Sequence, residues 1–331
     1  MSVKIIRRQW LMSASALAAT LAHGPGPRAQ SRPDIARFLC GYPAGGSIDV
    51  VTRKLAERLT GDYARSVVVD NKPGAAGRLA VEDLKKTPPD GTTLLITPAS
   101  IVTMYTHVYR KLSYDVFADL TPVSVVANTA FALAVGPKVP ATVQNVDDFI
   151  RWCRANPSLA QCANAGSGSM PHFMAMLVAR ETGIDLVHVP YRGGLAAMQD
   201  AAAGQVSAAL ATEAAALALE QADRLRVLAT TGAQRSIAFP RTATFESQGF
   251  RQLTRTEWFG AFMVGRTPAN AVSRANEVLR GALREPDIRD AWHKLALTPD
   301  SSSPAELQAM MRSEYDFWEP FVKASGFTPQ A

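Results

Sequence analysis

Two short stretches hold residues whose types and spacing could do chemistry. The first is Tyr42-Pro43-Ala44-Gly45-Gly46-Ser47, with Asp49 two residues further on. An apolar run, Ile35–Cys40, leads into this turn, and Ile48, Val51, Leu55 and Leu59 follow at helical spacing up to Gly61. A strand, a tight turn and a helix start, with Ser47 as the expected N-cap, would present backbone N–H groups at the positive end of a helix dipole. That suits a carboxylate or a phosphate. An ordinary strand-to-helix connection would need the same glycines, so the stretch alone leaves both readings open. The second stretch is Gly166-Ser167-Gly168-Ser169, with His172 close behind. A serine and a histidine so near one another suggest a nucleophile and its base. The G-x-S-x-G elbow is absent, however, because Ala165 stands at its first glycine, and a triad needs a correctly placed third group. Ser169 and His172 read better as the cap and first turn of a helix, and enzymatic activity is not expected.

Both turns lie in a pattern of β-rich runs alternating with helical ones. Ser66–Asp70 and Thr92–Thr97 are further strands, and Asn71–Gly77 and Pro98-Ala99-Ser100 sit at their carboxyl ends. Such alternation predicts a mostly parallel sheet flanked by helices, with ligands at the carboxyl ends of the strands. A fresh series runs from Gln161 through Leu186–Val189, the turn Pro190–Gly194 with Arg192, Val206–Ala211, the helix Glu213–Gln221 and Leu225–Thr230. The apolar runs Val123–Val135 and Thr254–Val264 read as crossovers between the two series, and the rest is helical: Ala269–Leu283, Asp287–Leu295 and Pro304–Ser325. The expected architecture is an α/β hinged clamp, with lobe 1 formed by residues 31–128 plus 256–331 and lobe 2 by residues 129–255.

The N-terminus reads as an address. Lys4, Arg7 and Arg8 precede the apolar run Trp10–Leu21 and small residues up to Ala29. This predicts a signal peptide over residues 1–30, cleaved near Ala29, with the Arg7-Arg8 pair leaving twin-arginine export open. No later segment supplies roughly 20 uninterrupted apolar residues, so a soluble exported protein is expected. Without residues 1–30 the chain keeps 31 basic against 29 acidic residues, a net +2, and has no basic cluster that would suggest nucleic acid. Three cysteines remain. Cys153 and Cys162 are close enough to pair across a short loop or to stay as two buried thiols, and the sequence leaves both open. Cys40 should pack as a small apolar residue. With no CxxC and five scattered histidines, neither a metal site nor a cofactor is expected.

Nine segments resemble the Bug receptors, the extracytoplasmic solute-binding subunits of tripartite tricarboxylate transporters. They include GYPAGGSIDVVTRKLAERL, VVVDNKPGAAG, NAGSGSMPH and VHVPYRGGLAAMQDAAAGQV, and they span roughly residues 33–326. The resemblance implies a two-lobed type II periplasmic-binding fold of the Venus-flytrap kind, with two hinge crossovers and no enzymatic activity. It implies a ligand carboxylate held between two loops, partly through water, with Tyr42, Ala44, Gly45, Gly46 and Ser47 on one lobe and Ser167, Gly168 and Ser169 on the other. Asp49 and His172 would brace those loops, and Pro98, Ala99, Arg192 and Ala211 complete the expected lining.

Two departures bear on the ligand. Related receptors often carry an acid at the strand end occupied here by Ala211, and Arg78 replaces the usual asparagine after the PGAAG glycines. Glu213, two residues beyond Ala211, is a weaker partner for a ligand ammonium. An unaminated organic acid is therefore favoured over an amino acid. The expected partners are that carboxylate and the transporter's membrane subunits, with the receptor a monomer. A sensor that reports to a signalling protein is the alternative role. Trp292, Trp318 and Phe321 read as packing residues.

Overall fold

Among the described residues, the apolar runs that alternate with Gly- or Pro-marked turns become strands or the buried stripes of helices. The computed structural model describes residues 32–325 and 327, so the leader read over residues 1–30 lies outside the described residues. The chain starts with β1 (Ile35–Cys40), α1 (Ser47–Leu59), β2 (Ser66–Asn71), α2 (Arg78–Lys85), β3 (Thr93–Pro98) and the short α3 (Ala99–Thr103) and α4 (Tyr105–Val108). It continues through β4 (Leu120–Val135), α5 (Val146–Ala155), β5 (Gln161–Asn164), α6 (Met170–Thr182), β6 (Val187–Pro190), α7 (Gly194–Ala202) and β7 (Ala208–Thr212). Then follow α8 (Glu213–Gln221), β8 (Arg226–Thr230), β9 (Thr256–Val264), α9 (Ala269–Arg284), α10 (Pro286–Lys294), β10 (Thr298–Pro299) and α11 (Pro304–Ala324). The spacing of Ile48, Val51, Leu55 and Leu59 does what a 3.6-residue period requires: all four are buried on one side of α1.

The strands lie in the order β2-β1-β3-β9-β4-β7-β5-β6, with β8 and β10 also pairing with β4. β1 is parallel to β2 and β3, and β5 is parallel to β6 and β7. The two apolar runs read as crossovers are strands in their own right. β4 and β9 pair with each other antiparallel, and β9 and β3, like β4 and β7, also run antiparallel. The sheet is therefore mixed where a mostly parallel one was expected. A chain that crosses twice between two parallel groups returns in the opposite direction, and pairing the two crossings satisfies their backbone groups. β4 links the groups: Leu120–Ala130 pairs with β9, and Phe131–Val135 pairs with β7.

Three buried clusters fill the space between sheet and helices. Trp292 is fully buried and donates its indole N–H to Val126 O at 3.0 Å, and Trp318 is buried as well. Cys153 and Cys162 are two free, buried thiols, so the pairing left open above is not made. Cys40 is likewise buried, in β1.

Candidate ligand-binding cleft

The carboxyl ends of β1, β3, β5 and β7 converge on a cleft of about 900 Å³, its open mouth included. Of the residues named from sequence, Tyr42, Ala44, Gly46, Ser47, Pro98, Ser169, Arg192 and Ala211 line it. Gly45, Ala99, Ser167 and Gly168 are not among its lining residues. Gly45, at φ +85°, turns its N–H away to Asp49 Oδ2 at 2.9 Å. Ala99 is buried, and Ser100 takes its place at the wall. Ser167 Oγ pairs with His188 Nε2 at 3.1 Å, and Gly168 N–H donates to His172 Nδ1 at 3.0 Å.

Ser47 is not the cap of α1. A capping residue has extended dihedrals, and these belong to Gly46 (φ −73°, ψ 161°), which has no side chain to cap with. The first backbone bond of α1 runs from Val50 N–H to Gly46 O at 3.0 Å. The N–H groups of Ser47, Ile48 and Asp49 thus have no intrahelical acceptor, and Ser47 and Ile48 line the cleft. The Ser47 hydroxyl instead meets Thr212 Oγ1 at 2.9 Å, linking the start of α1 to the end of β7.

Asp49 braces the turn from behind. It is buried and accepts from Gly45 N–H, from Arg53 Nε at 2.9 Å and from Asn71 Nδ2 at 2.7 Å. Burial pushes its carboxyl up, but the bonds from Arg53, Asn71 and Gly45 outweigh that and hold it below its usual range. Asn71 also donates to Tyr42 O at 3.0 Å, so the end of β2 is tied to the same turn.

The second turn is satisfied internally. Ser169 caps α6 by accepting from His172 N–H at 3.3 Å, and its only hydroxyl proton goes to Gly166 O at 2.9 Å. Ser169 therefore has no proton left to give a ligand carboxylate. His172 is stacked on His188, with ring centroids 3.7 Å apart. Burial lowers the His172 pKa to about 3, helped by His188, and lowers that of His188 to about 4.

Sequence reasoning marked the turn Pro190–Gly194 but missed that the helix start there lines the cleft. α7 begins after Gly193 with no side-chain cap, and Gly193, Gly194, Leu195 and Ala196 line the cleft. The signal was present: Gly193-Gly194 follows β6 much as Gly45-Gly46 follows β1. It also missed Glu257 of β9, which lines the cleft beside Phe259 and was read as part of an apolar crossover. Glu213 does not reach the cleft. It is buried in a separate cavity with Asn128, Thr256 and His293, where Ser236 Oγ donates to its Oε2 at 2.6 Å.

The family model described as tripartite tricarboxylate transporter family receptor matches residues 51–327. The protein BugT of Bordetella pertussis is 28% identical over 286 residues, covering 86% of this chain and 87% of its own. A solved R. palustris protein with adipate is 28% identical, with a TM-score of 0.85 over 91% of this chain and 100% of that one. The periplasmic binding protein BugD, at 23% identity and a TM-score of 0.82, shares the fold over 89% of this chain and 99% of its own. The α/β architecture is thus the two-lobed periplasmic-binding fold. The matched family consists of receptors, not enzymes. Among the described residues, no helix is long and apolar enough to cross a membrane.

Proposed function

The chain belongs to the tripartite tricarboxylate transporter receptor family, and from that premise we propose that it captures a small organic carboxylate in the cleft and delivers it to the membrane subunits of such a transporter. The observation that carries this reading is the bare first turn of α1. Its N–H groups have no side-chain cap, border the cleft, and sit at the positive end of a 13-residue helix. The uncapped start of α7 and the Arg192 guanidinium add to the same side of the balance. The relative solved with adipate supports placing unaminated acids ahead of amino acids.

In this reading residues 31–128 plus 256–331 form one lobe and residues 129–255 the other, and the lobes close about β4 and β9. The receptor is a monomer, exported by the leader at residues 1–30 and cleaved near Ala29. A thermal-shift screen of mono-, di- and tricarboxylates against amino acids tests the ligand class. A carboxylate at about 100 times its Kd should stabilise the protein by about 2.7 kcal/mol. Stabilisation by amino acids alone would overturn the preference for unaminated acids.

A further inference from the structure

Among the described residues, Glu257 is the acid of the cleft lining, and the groups acting on it include no cation. It lies on β9, one of the two strands that cross the molecule, and shares a strand face with Phe259 two residues on. It is buried, and its Oε1 accepts from Ser100 N–H at 3.2 Å. Its titratable neighbours are Glu314 of α11, Tyr42 after β1 and Tyr105 of α4. Glu314 is itself held by Trp258 Nε1 at 2.6 Å. Among the described residues, the only other charged side chain on the cleft wall is Arg192.

We propose that Glu257 meets the far end of the ligand as a neutral carboxylic acid and donates its proton in a hydrogen bond to a second ligand carboxylate, so that the receptor takes up a proton together with a dicarboxylate. This rests on the carboxylate reading above and assigns the other end of the same site. One ligand carboxylate is held at the start of α1. A dicarboxylate that fills the cleft brings its second carboxylate to the floor, where an ionised Glu257 would repel it in a medium that screens poorly. A single proton between the two groups removes the repulsion and turns it into a hydrogen bond, as in other paired carboxyls. An ammonium fits less well. The cleft already presents two uncapped helix starts and Arg192, all of which repel a cation. Burial also favours the neutral form: it raises the Glu257 pKa to about 7, with Ser100 opposing and the Glu314 carboxyl adding to the rise.

Titration calorimetry with adipate, at about pH 8 in buffers of different ionisation heat, tests this. We expect uptake approaching one proton per adipate, with affinity falling about tenfold for each further pH unit. Hexanoate, with one carboxylate, should bind without that uptake. Glu257→Gln keeps a donor of the same shape, so it should bind adipate with no proton uptake and a flat pH profile. Glu314→Gln, which leaves Glu257 in place, should keep the uptake and move its onset to lower pH. Proton release, no exchange in the wild-type protein, or uptake that survives Glu257→Gln would each overturn the proposal while leaving carboxylate binding intact. Binding of no carboxylate at all would overturn both.

Discussion

At Tyr42–Ser47 the chain enters α1 through Gly46, which has no side chain to cap with. At Gly166–Ser169 it enters α6 through Ser169, whose hydroxyl accepts from His172 N–H and donates to Gly166 O. The two turns differ in sequence and share an architecture, yet they handle their polar groups in opposite ways. The first leaves the helix start bare and places its rigidity behind the turn, where Asp49 holds Gly45 and is itself held by Arg53 and Asn71. The second spends its hydrogen bonds on itself and rests on a stacked pair of neutral imidazoles. A turn that binds must keep donors unpaired and borrow stiffness from elsewhere. A turn that only shapes a wall can use its donors locally.

The strongest test of this contrast swaps side chains into the two turns. Gly168 sits at φ +77°, and a β-carbon there would collide with Val108 Cγ1. Gly168→Ala should therefore cost on the order of 3 kcal/mol of stability, combining left-handed strain with overpacking. Gly46 has ordinary extended dihedrals, and a β-carbon there meets only Pro43 O at 3.6 Å. Gly46→Val should unfold in urea like the wild-type protein, yet lose carboxylate affinity by at least about tenfold as its branches cover the bare N–H groups. Equal losses of stability in both variants would break the comparison.

A smaller effect should come from pH. The folded-state pKa values of His172 and His188 lie at about 3 and about 4, below the ordinary value of 6.5. Their neutral forms thus stabilise the fold above about pH 6.5, and that stability is lost as pH falls below it. Between about pH 6.5 and 5 the loss should be about 2 kcal/mol for the His172 ring. Glu213 and Glu257, raised by burial to about 7, act with the opposite sign between their ordinary value and that pH. The informative quantity is therefore the difference in urea midpoint between wild type and His188→Gln, which should shrink on acidification. The smallest effect is expected for Ser169→Ala. It should cost about 1 kcal/mol of stability through the lost cap and leave carboxylate affinity nearly unchanged in calorimetry, because Ser169 has no free proton to give. A large affinity loss there would make the second turn a binding turn as well.

The elements were legible wherever period and punctuation agreed. The predicted bounds of the helix Glu213–Gln221 are those observed, and α6 starts directly after the expected cap Ser169. The direction of the crossing strands was not legible, because an apolar run carries no sign of which neighbour it pairs with. At the site, glycine turns at strand ends marked the region, but which side chains turn inward depends on long-range register. Glu257 illustrates this. It is one acid in an apolar run, and only the pairing of β9 between β3 and β4 aims it at the cleft. Glu213 stands closer to the expected strand end and faces the other cavity, because it is already the first residue of α8.

The contact between Ser47 Oγ and Thr212 Oγ1 has a bearing on residence time. It joins the bare start of α1 to the end of β7, and both residues line the cleft. A hydrogen bond between two neutral hydroxyls is worth about 1 kcal/mol net, which slows escape only about fivefold. A salt bridge at the same place would hold cargo more firmly and would also resist whoever came to collect it. A carrier that must surrender its load on contact is better served by a clasp this weak.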